Sequence, residues 1–178
     1  MKLPLLLLFF FAFTVSYGQV LGEKPRKSPV GLSTHKSDDL YIKVTYGRPS
    51  VEDEDTKVFG NIVPLRRLWR TGDDEATEIT FSEKVTFMNE TINPGTYSLF
   101  TIPDTAEWRV ILNKEVGQWG IYKYNPEKDI INKKTPLYKS PKSFLLFSIF
   151  LEEAENGADL ILIWRFSSIR IPIRRIRN

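Results

Sequence analysis

The sequence predicts an all-β fold, a single-domain antiparallel β-sandwich of jelly-roll-like type. Short runs of alternating apolar and polar residues recur along the chain, and turn pairs such as Pro94-Gly95 and Asn156-Gly157 separate them. No segment shows a sustained helical period. The chain has no cysteine, so its core must be held by packing alone. These observations favour a sandwich over an α/β enzyme fold.

The N-terminus has the pattern of a secretory signal peptide. Met1-Lys2 precedes the apolar run Leu3 to Val15, and small residues lead to Gly18. The run is shorter than the roughly 20 apolar residues that a membrane span requires. We therefore predict a signal peptide over residues 1–18, no transmembrane span after its cleavage, and export to the periplasm or the extracellular space.

Residues 19–39 are rich in Pro, Gly, Lys and Ser without periodicity, which predicts a flexible N-terminal arm. Residues 40–178 have a length that suits one β domain, beginning with the alternating strand at Leu40. Two later segments are interpreted from their local composition. Residues 120–124 read as a strand, and residues 133–142, with two prolines, as a surface loop.

Charge and residue inventory exclude several function classes. The formal net charge of +3 is too balanced for the concentrated basic face of a nucleic-acid-binding protein. The single histidine, His35, lies in the predicted arm. A Ser-His-Asp triad or a histidine metal site in the β domain therefore has no base or ligands to build from, and the absence of cysteine excludes transition-metal sites and thiol nucleophiles. We predict no cofactor and no metal site.

The segment Val63–Phe81 combines basic residues, a tryptophan, a glycine turn and an acidic triplet more densely than any other part of the chain. Its charged residues can be interpreted in two ways. Either Arg48 or Arg70 clamps Glu75 through two hydrogen bonds and stiffens the loop, or the two arginines orient a polar ligand. The residues of this segment that belong to the predicted site are Trp69, Arg70, Asp73, Asp74 and Glu75.

Aromatic residues beside polar loops extend this candidate site. Trp119, Tyr122 and Tyr124 are either core residues or, with Trp69, a stacking floor for a sugar ring, and Asn113 adds hydrogen-bonding capacity. We predict a noncatalytic module that binds a small polar or saccharide ligand, or an envelope partner. Its ligand-binding residues are Arg48, Trp69, Arg70, Asp73, Asp74, Glu75, Asn113, Trp119, Tyr122 and Tyr124.

Two other functions remain open at this point. Carboxylates are the only groups left for catalysis, and Asp73, Asp74, Glu75 and Glu78 supply enough of them for a glycan hydrolase that uses an acid and a base. A structural envelope protein that assembles through an apolar sheet face is the third possibility.

That apolar face follows from the Asn156-Gly157 hairpin signal. A turn on these two residues pairs Leu151 with Leu162 and Ile149 with Trp164, and this face belongs to the core. The opposite face is also apolar and needs a cover, either a second layer of the same domain or a second copy of the chain. Its residues are Leu146, Phe150, Ile161 and Ile163.

Several ordered motifs resemble one known family. They include Tyr46-Gly47-Arg48-Pro49-Ser50, Trp69-Arg70-Thr71-Gly72, Glu75-Ala76-Thr77, the run from Pro94 to Pro103, and Gln118-Trp119-Gly120. Their order between Leu40 and Ile173 is similar to that of domain-of-unknown-function family 2911. The resemblance implies an exported bacterial protein with one β-rich domain and no established activity. The chain departs from the family pattern at its acidic run of residues 52–55 and at Asp73-Asp74, where Ala-Asn is common.

Overall fold

A computed structural model describes residues 26–37, 39–53 and 55–176. The predicted signal peptide, residues 1–18, lies outside the described residues, as do residues 19–25 of the predicted arm. The described chain is built almost entirely from strands, with one short 3-10 helix at Pro126–Lys128. The strands are β1 Val30–Ser37, β2 Leu40–Gly47, β3 Thr77–Phe81, β4 Val85–Phe87, β5 Glu90–Ile92, β6 Gly95–Ile102, β7 Glu107–Asn113, β8 Asp129–Pro136, β9 Tyr138–Ala154 and β10 Gly157–Arg175.

The strands form two sheets. One has six strands in the order β1-β2-β3-β6-β7-β8, and the other has four in the order β5-β4-β10-β9. Every pairing between neighbouring strands is antiparallel. The predicted all-β antiparallel sandwich is confirmed. Among the described residues, no helix is long and apolar enough to cross a membrane.

The hydrophobic core lies between the sheets. In β2, Ile42 and Val44 are fully buried while Tyr41 and Lys43 are exposed, so the period-two alternation of the sequence sets which face is inside. Burying each large apolar side chain contributes roughly 1.5–3 kcal/mol. The centre of the core is a cluster of five aromatic rings in edge-to-face, tilted and stacked contact: Phe59, Trp69, Trp108, Phe147 and Trp164.

The prediction of a flexible arm was wrong for residues 30–37, which form β1. This strand pairs with the whole of β2, from Val30 opposite Gly47 to Ser37 opposite Leu40. It escaped recognition because it is an edge strand with few inward apolar residues: Leu32 is 65% exposed. Backbone hydrogen bonds to β2 stabilise this strand, although its side chains do not show the alternating apolar pattern of a half-buried strand.

Two other local interpretations were wrong. The supposed loop of residues 133–142 lies in β8 and the beginning of β9, because the backbone pairs with β7 and β10 even though its side chains are mostly polar. Residues 120–124 form turns instead of a strand. Gly120 has a φ of 66°, which interrupts an extended chain at that point.

The β9–β10 hairpin is present, but its turn lies one residue earlier than predicted. Ala154 pairs with Gly157, so Glu155 and Asn156 form the turn. Ile149 therefore lies opposite Leu162, two residues from the predicted partner. A shift of two keeps the side chains between Ser148 and Ile163 on their predicted faces, and Ile149 remains in the core. Beyond Ile163 the register shifts again, and Phe166, which the predicted register placed on the core face, is exposed.

Strand β10 doubles back on itself. A straight strand of its length would separate its ends by about 60 Å, yet the Arg175 backbone N–H donates to the Asn156 carbonyl at 2.7 Å. The Arg174 side chain likewise donates to the Ala158 carbonyl at 3.0 Å. Arg165, whose φ is 54°, lies near the point of reversal. The two halves of β10 therefore lie side by side and widen the smaller sheet.

Candidate ligand-binding site

The segment Trp69–Glu75, which we call the Trp-Arg loop, is anchored to β6. The Trp69 backbone N–H donates to the Thr101 carbonyl at 2.8 Å, and the Thr101 N–H donates back to Trp69 at 3.0 Å. The Thr71 hydroxyl adds a buried bond of 3.1 Å to the Thr101 hydroxyl. The loop therefore continues the larger sheet as an isolated bridge and does not extend freely into solvent.

Two glycines allow the Trp-Arg loop to lie directly on the end of β2. A Cβ atom at Gly47 would lie 2.0 Å from the Asp73 carbonyl oxygen, and one at Gly72 would lie 2.9 Å from the Gly47 oxygen. Any side chain at Gly47 would push the loop away from the sheet. The glycines of two separate sequence motifs thus meet at one backbone contact.

The loop holds two residues in the left-handed backbone region. Thr71 has a φ of 57° and Asp74 a φ of 61°. This conformation is unusual for a β-branched residue, and its cost must be offset by surrounding contacts. Thr71 is fully buried, and its carbonyl accepts a 2.7 Å hydrogen bond from the Thr77 hydroxyl.

A cavity of about 200 Å³ opens beside this loop. The indole of Trp69 forms one wall and is held in place by a 2.9 Å hydrogen bond from its Nε1 to the Gly72 carbonyl. Trp164 stacks nearly parallel to it, with ring centroids 6.2 Å apart. The residues that line the cavity are Pro49, Ile62, Val63, Pro64, Leu68, Trp69, Arg70, Gly72, Asp73, Ile121 and Trp164.

Arg70 and Asp73 are the charged residues of the cavity lining. Arg70 Nη2 donates to Asp73 Oδ1, and the Ser28 hydroxyl donates to Asp73 Oδ2 at 2.9 Å. Burial alone would raise the pKa of Asp73, but the hydrogen bonds from Ser28 and Arg70 outweigh burial and lower it. Arg70 Nε is buried and has no hydrogen-bond partner among the described residues.

Glu75 is clamped by an arginine that the sequence interpretation did not consider. Both Nη atoms of Arg26 donate to the two carboxylate oxygens of Glu75, and Arg26 Nε lies 3.9 Å from Asp74 Oδ2. The hydrogen bond from Arg26 is the main reason why the pKa of Glu75 is lowered. The proposed clamp from Arg48 or Arg70 was therefore assigned to the wrong residues, because the chain before β1 was expected to be flexible.

Arg48 faces the other sheet instead of the cavity. Its Nε donates to the Phe147 carbonyl at 3.4 Å and its Nη2 to the Ser148 hydroxyl at 3.3 Å. Its backbone N–H donates to the Pro29 carbonyl at 2.9 Å. These contacts join the two sheets, while the neighbouring Pro49 is the residue that reaches the cavity.

Asn113 and Tyr124 belong to a separate cluster around Asp129. The Asn113 amide donates to the Asn125 carbonyl and to Asp129 Oδ1, each at 2.8 Å, and its oxygen accepts the Glu115 N–H at 2.9 Å. The Tyr124 hydroxyl donates to Asp129 Oδ2 at 2.6 Å. Burial and this bond raise the pKa of Tyr124. The arrangement closes a turn and leaves no free donor on Asn113.

Trp119 and Tyr122 lie on the surface, where they are 57% and 83% exposed. They line a separate surface recess of about 620 Å³ with Val116 and Lys123. Between them in sequence, Ile121 turns towards the cavity. The ten predicted site residues therefore divide among the cavity, this surface recess, the Arg26 clamp, the sheet contact of Arg48 and the Asp129 cluster.

Sequence reasoning missed most of the cavity wall. Ile62, Pro64 and Ile121 carry no chemical signal of a site, and Trp164 was correctly assigned to the core without its second role being foreseen. Within the described ranges, no three His, Asp or Glu side chains are grouped so that they could hold a metal ion.

Comparison with known proteins identifies a family. The model of the family described as "Protein of unknown function (DUF2911)" matches residues 28–173. No curated protein and no solved structure matches the chain. The match includes β1 and the residues Ser28 and Pro29, which approach the Trp-Arg loop and β2, so the family pattern extends further towards the N-terminus than the motifs suggested.

Proposed function

The chain belongs to the DUF2911 family, and from its own geometry we propose that it is an exported, noncatalytic module that binds a small polar ligand in the cavity beside Trp69, Arg70 and Asp73. A saccharide is the ligand class that we expect. The observation that carries the proposal is that these three predicted residues line one cavity that opens to the surface.

The shape and chemistry of the cavity favour binding. Its walls are mainly aliphatic and aromatic, and its charged groups are confined to Arg70 and Asp73. Ligand pockets commonly combine apolar walls with a few placed polar groups that orient the ligand. A sugar has such a composition, with apolar C–H faces that pack on indole and hydroxyls that bond to guanidinium and carboxylate groups.

The unpaired Arg70 Nε supports a ligand that accepts hydrogen bonds. Burying a donor without a partner costs about 1–3 kcal/mol. A ligand hydroxyl or carbonyl oxygen would recover part of that cost once the Arg70 side chain turns its buried Nε towards the cavity. The buried hydrogen bonds that hold Thr71 in its left-handed conformation keep the loop in one conformation, which supports a site organised before the ligand arrives.

The carboxylates of the loop do not favour the hydrolase alternative. A glycan hydrolase needs one carboxyl that remains protonated near neutral pH. The pKa values of Asp73 and Glu75 are both lowered, and both groups are already engaged by arginines. Their present role is to hold the loop in place.

Ligand binding can be tested with a panel of glucose, galactose and N-acetylglucosamine by saturation-transfer NMR. We expect at least one sugar to bind to the wild-type protein and Arg70→Gln to weaken it about tenfold, since a charged hydrogen bond is worth roughly 1.5–3 kcal/mol. Arg67→Gln is the matched control, because Arg67 lies three residues away and is exposed. Failure of every sugar to bind, or equal losses in both variants, would contradict the proposal.

Export can be tested separately by mass spectrometry of the protein recovered from the cell envelope and the medium. We expect a mature N-terminus at Gln19, which follows from cleavage after Gly18. Recovery of the chain from the cytoplasm with Met1 intact would contradict export without bearing on the cavity.

A further inference from the structure

The outer face of the β9–β10 hairpin carries a bulge. Phe144 of β9 pairs with Arg165 of β10, and Lys139 pairs with Ser167. Residues 140–143 therefore lie opposite the single residue Phe166, so β9 bulges beside the point where β10 reverses. The bulge covers part of the outer apolar face of the hairpin, for which the sequence predicted a cover without identifying it.

The bulge has a defined internal structure. The Ser140 hydroxyl donates to the Lys142 carbonyl at 2.7 Å and accepts the Lys142 backbone N–H at 3.2 Å. Pro141, between them, restricts the backbone further. These contacts fix the backbone of residues 140–142, which line one side of a groove.

The groove has an apolar floor and a volume of about 470 Å³, within the range of small-molecule sites. Ile161 and Ile163 are only 7% and 6% exposed, while Phe150 is 42% exposed. Phe144 and Tyr138 add aromatic walls. Because the two isoleucines lie deep, a flat protein surface would reach mainly the exposed phenylalanine, whereas a slender chain can enter.

The rim of the groove is positively charged. Arg170 is neutralised locally, since it donates to Glu152 and Asp159 at 2.8 Å each. Lys139 and Lys142 also line the groove and are exposed, and no acidic side chain pairs with either among the described residues. The unneutralised charge beside the apolar floor is therefore cationic.

We propose that this groove binds a single-chain anionic amphiphile, with the alkyl chain along Phe150, Ile161 and Ile163 and a carboxylate head near Lys139 and Lys142. The apolar floor gains free energy by losing contact with water, at about 0.8 kcal/mol for each buried CH₂. The lysines select the sign of the head group. This site is distinct from the Trp-Arg loop cavity and does not rest on the function proposed for it.

Calorimetry tests the proposal by titrating sodium dodecanoate, below its micelle concentration, into the protein in the processed form that its host produces. We expect saturable binding of one molecule per chain, and contacts between its methylenes and the Ile161 and Ile163 methyls by NMR. Dodecyltrimethylammonium, with the same chain and the opposite charge, should bind at least tenfold more weakly. No dodecanoate binding, or equal binding of both amphiphiles, would overturn the proposal.

Lysine variants locate the site. Lys139→Glu combined with Lys142→Glu should weaken dodecanoate binding about tenfold or more, because two exposed charges are reversed. Lys36→Glu with Lys43→Glu, at exposed positions on β1 and β2, is the matched control and should bind normally. An unchanged affinity in the first variant, with its circular dichroism intact, would overturn the assignment.

Light scattering distinguishes the amphiphile from the other possible occupant of this face, a second copy of the chain. Such a copy would be joined through Leu146, Phe150, Ile161 and Ile163. We expect a monomer whose mass does not change with dodecanoate. A stable dimer that dodecanoate cannot enter, or that Phe150→Lys converts to monomer, would replace the amphiphile by self-association. Tight binding of polyglutamate in place of dodecanoate would likewise reject an alkyl ligand.

Discussion

Two polar clusters beside the larger sheet contain similar residue types but differ in how far their hydrogen bonds are satisfied. Around Asp129, Asn113 uses its amide hydrogens and its oxygen within the protein, and Tyr124 donates to the same carboxylate. At the Trp-Arg loop, Arg70 Nε and Asp74 Oδ2 are buried with no hydrogen-bond partner among the described residues. The first cluster lacks spare donors on Asn113, while the second borders a cavity.

The comparison teaches that residue chemistry alone does not distinguish a binding site from a structural clamp. Both clusters combine an aromatic ring with acidic and other polar side chains, and both contain residues that were predicted to contact ligand. What separates them is unsatisfied hydrogen-bonding capacity next to accessible space, because buried polar groups otherwise pair within the protein. Mutations in the Asp129 cluster should therefore affect stability alone, whereas a mutation of Arg70 at the Trp-Arg loop should affect ligand binding.

The largest expected effect is that of Asn113→Ala. It removes three hydrogen bonds made by a fully buried side chain and should lower the free energy of unfolding by about 3 kcal/mol, without changing sugar binding at the cavity. Urea denaturation measures the change, and Asn61→Ala, at an exposed asparagine, should cost less than about 0.5 kcal/mol. A loss below about 1 kcal/mol for Asn113→Ala would contradict its structural assignment.

An intermediate effect is expected from acid. The pKa values of Asp73 and Glu75 in the folded protein lie below their unfolded values of about 4. Their contribution to stability is therefore fully present above about pH 4 and is lost as pH falls through the folded values. Urea denaturation between pH 6 and pH 2 should show a shallower acid loss for Asp73→Asn than for Glu52→Gln, an exposed control. Equal pH profiles would show that the Asp73 contacts are not stabilising.

The smallest effect is expected from Asp74→Asn. Asparagine tolerates the left-handed backbone that position 74 adopts with a φ of 61°. The ion pair lost is long, at 3.9 Å from Arg26, so stability should change by less than about 0.5 kcal/mol. Asp74→Val places a β-branched side chain at this φ, which is unfavourable, and should therefore cost clearly more stability. Thermal unfolding of both variants measures the difference. Equal costs would contradict backbone control at this position.

The sequence carried enough information to predict the fold, because period-two alternation and turn pairs are local signals. The Asn156-Gly157 signal located the last hairpin to within one residue. Strand β1 was missed because an edge strand needs only backbone pairing, and Leu32 on it faces solvent. Strand β8 was missed for the same reason.

The candidate site was predictable only in part. Trp69, Arg70 and Asp73 are chemically conspicuous and do line the cavity. The opposite walls, such as Ile121 and Trp164, come from distant parts of the chain and carry no local signal of a site. The clamp from Arg26 depends on a long-range contact with Glu75, 49 residues away, which composition cannot reveal.

The most direct test of the contrast between the two clusters is a side-chain NMR titration with N-acetylglucosamine. It follows the Arg70 Nε–Hε signal and the Asn113 amide signals in one sample. We predict that the Arg70 signal shifts saturably with sugar while the Asn113 signals stay fixed. Movement of Asn113 without Arg70, or no movement of Arg70 at saturating sugar, would contradict the assignment of the Trp-Arg loop cavity as the saccharide-binding site.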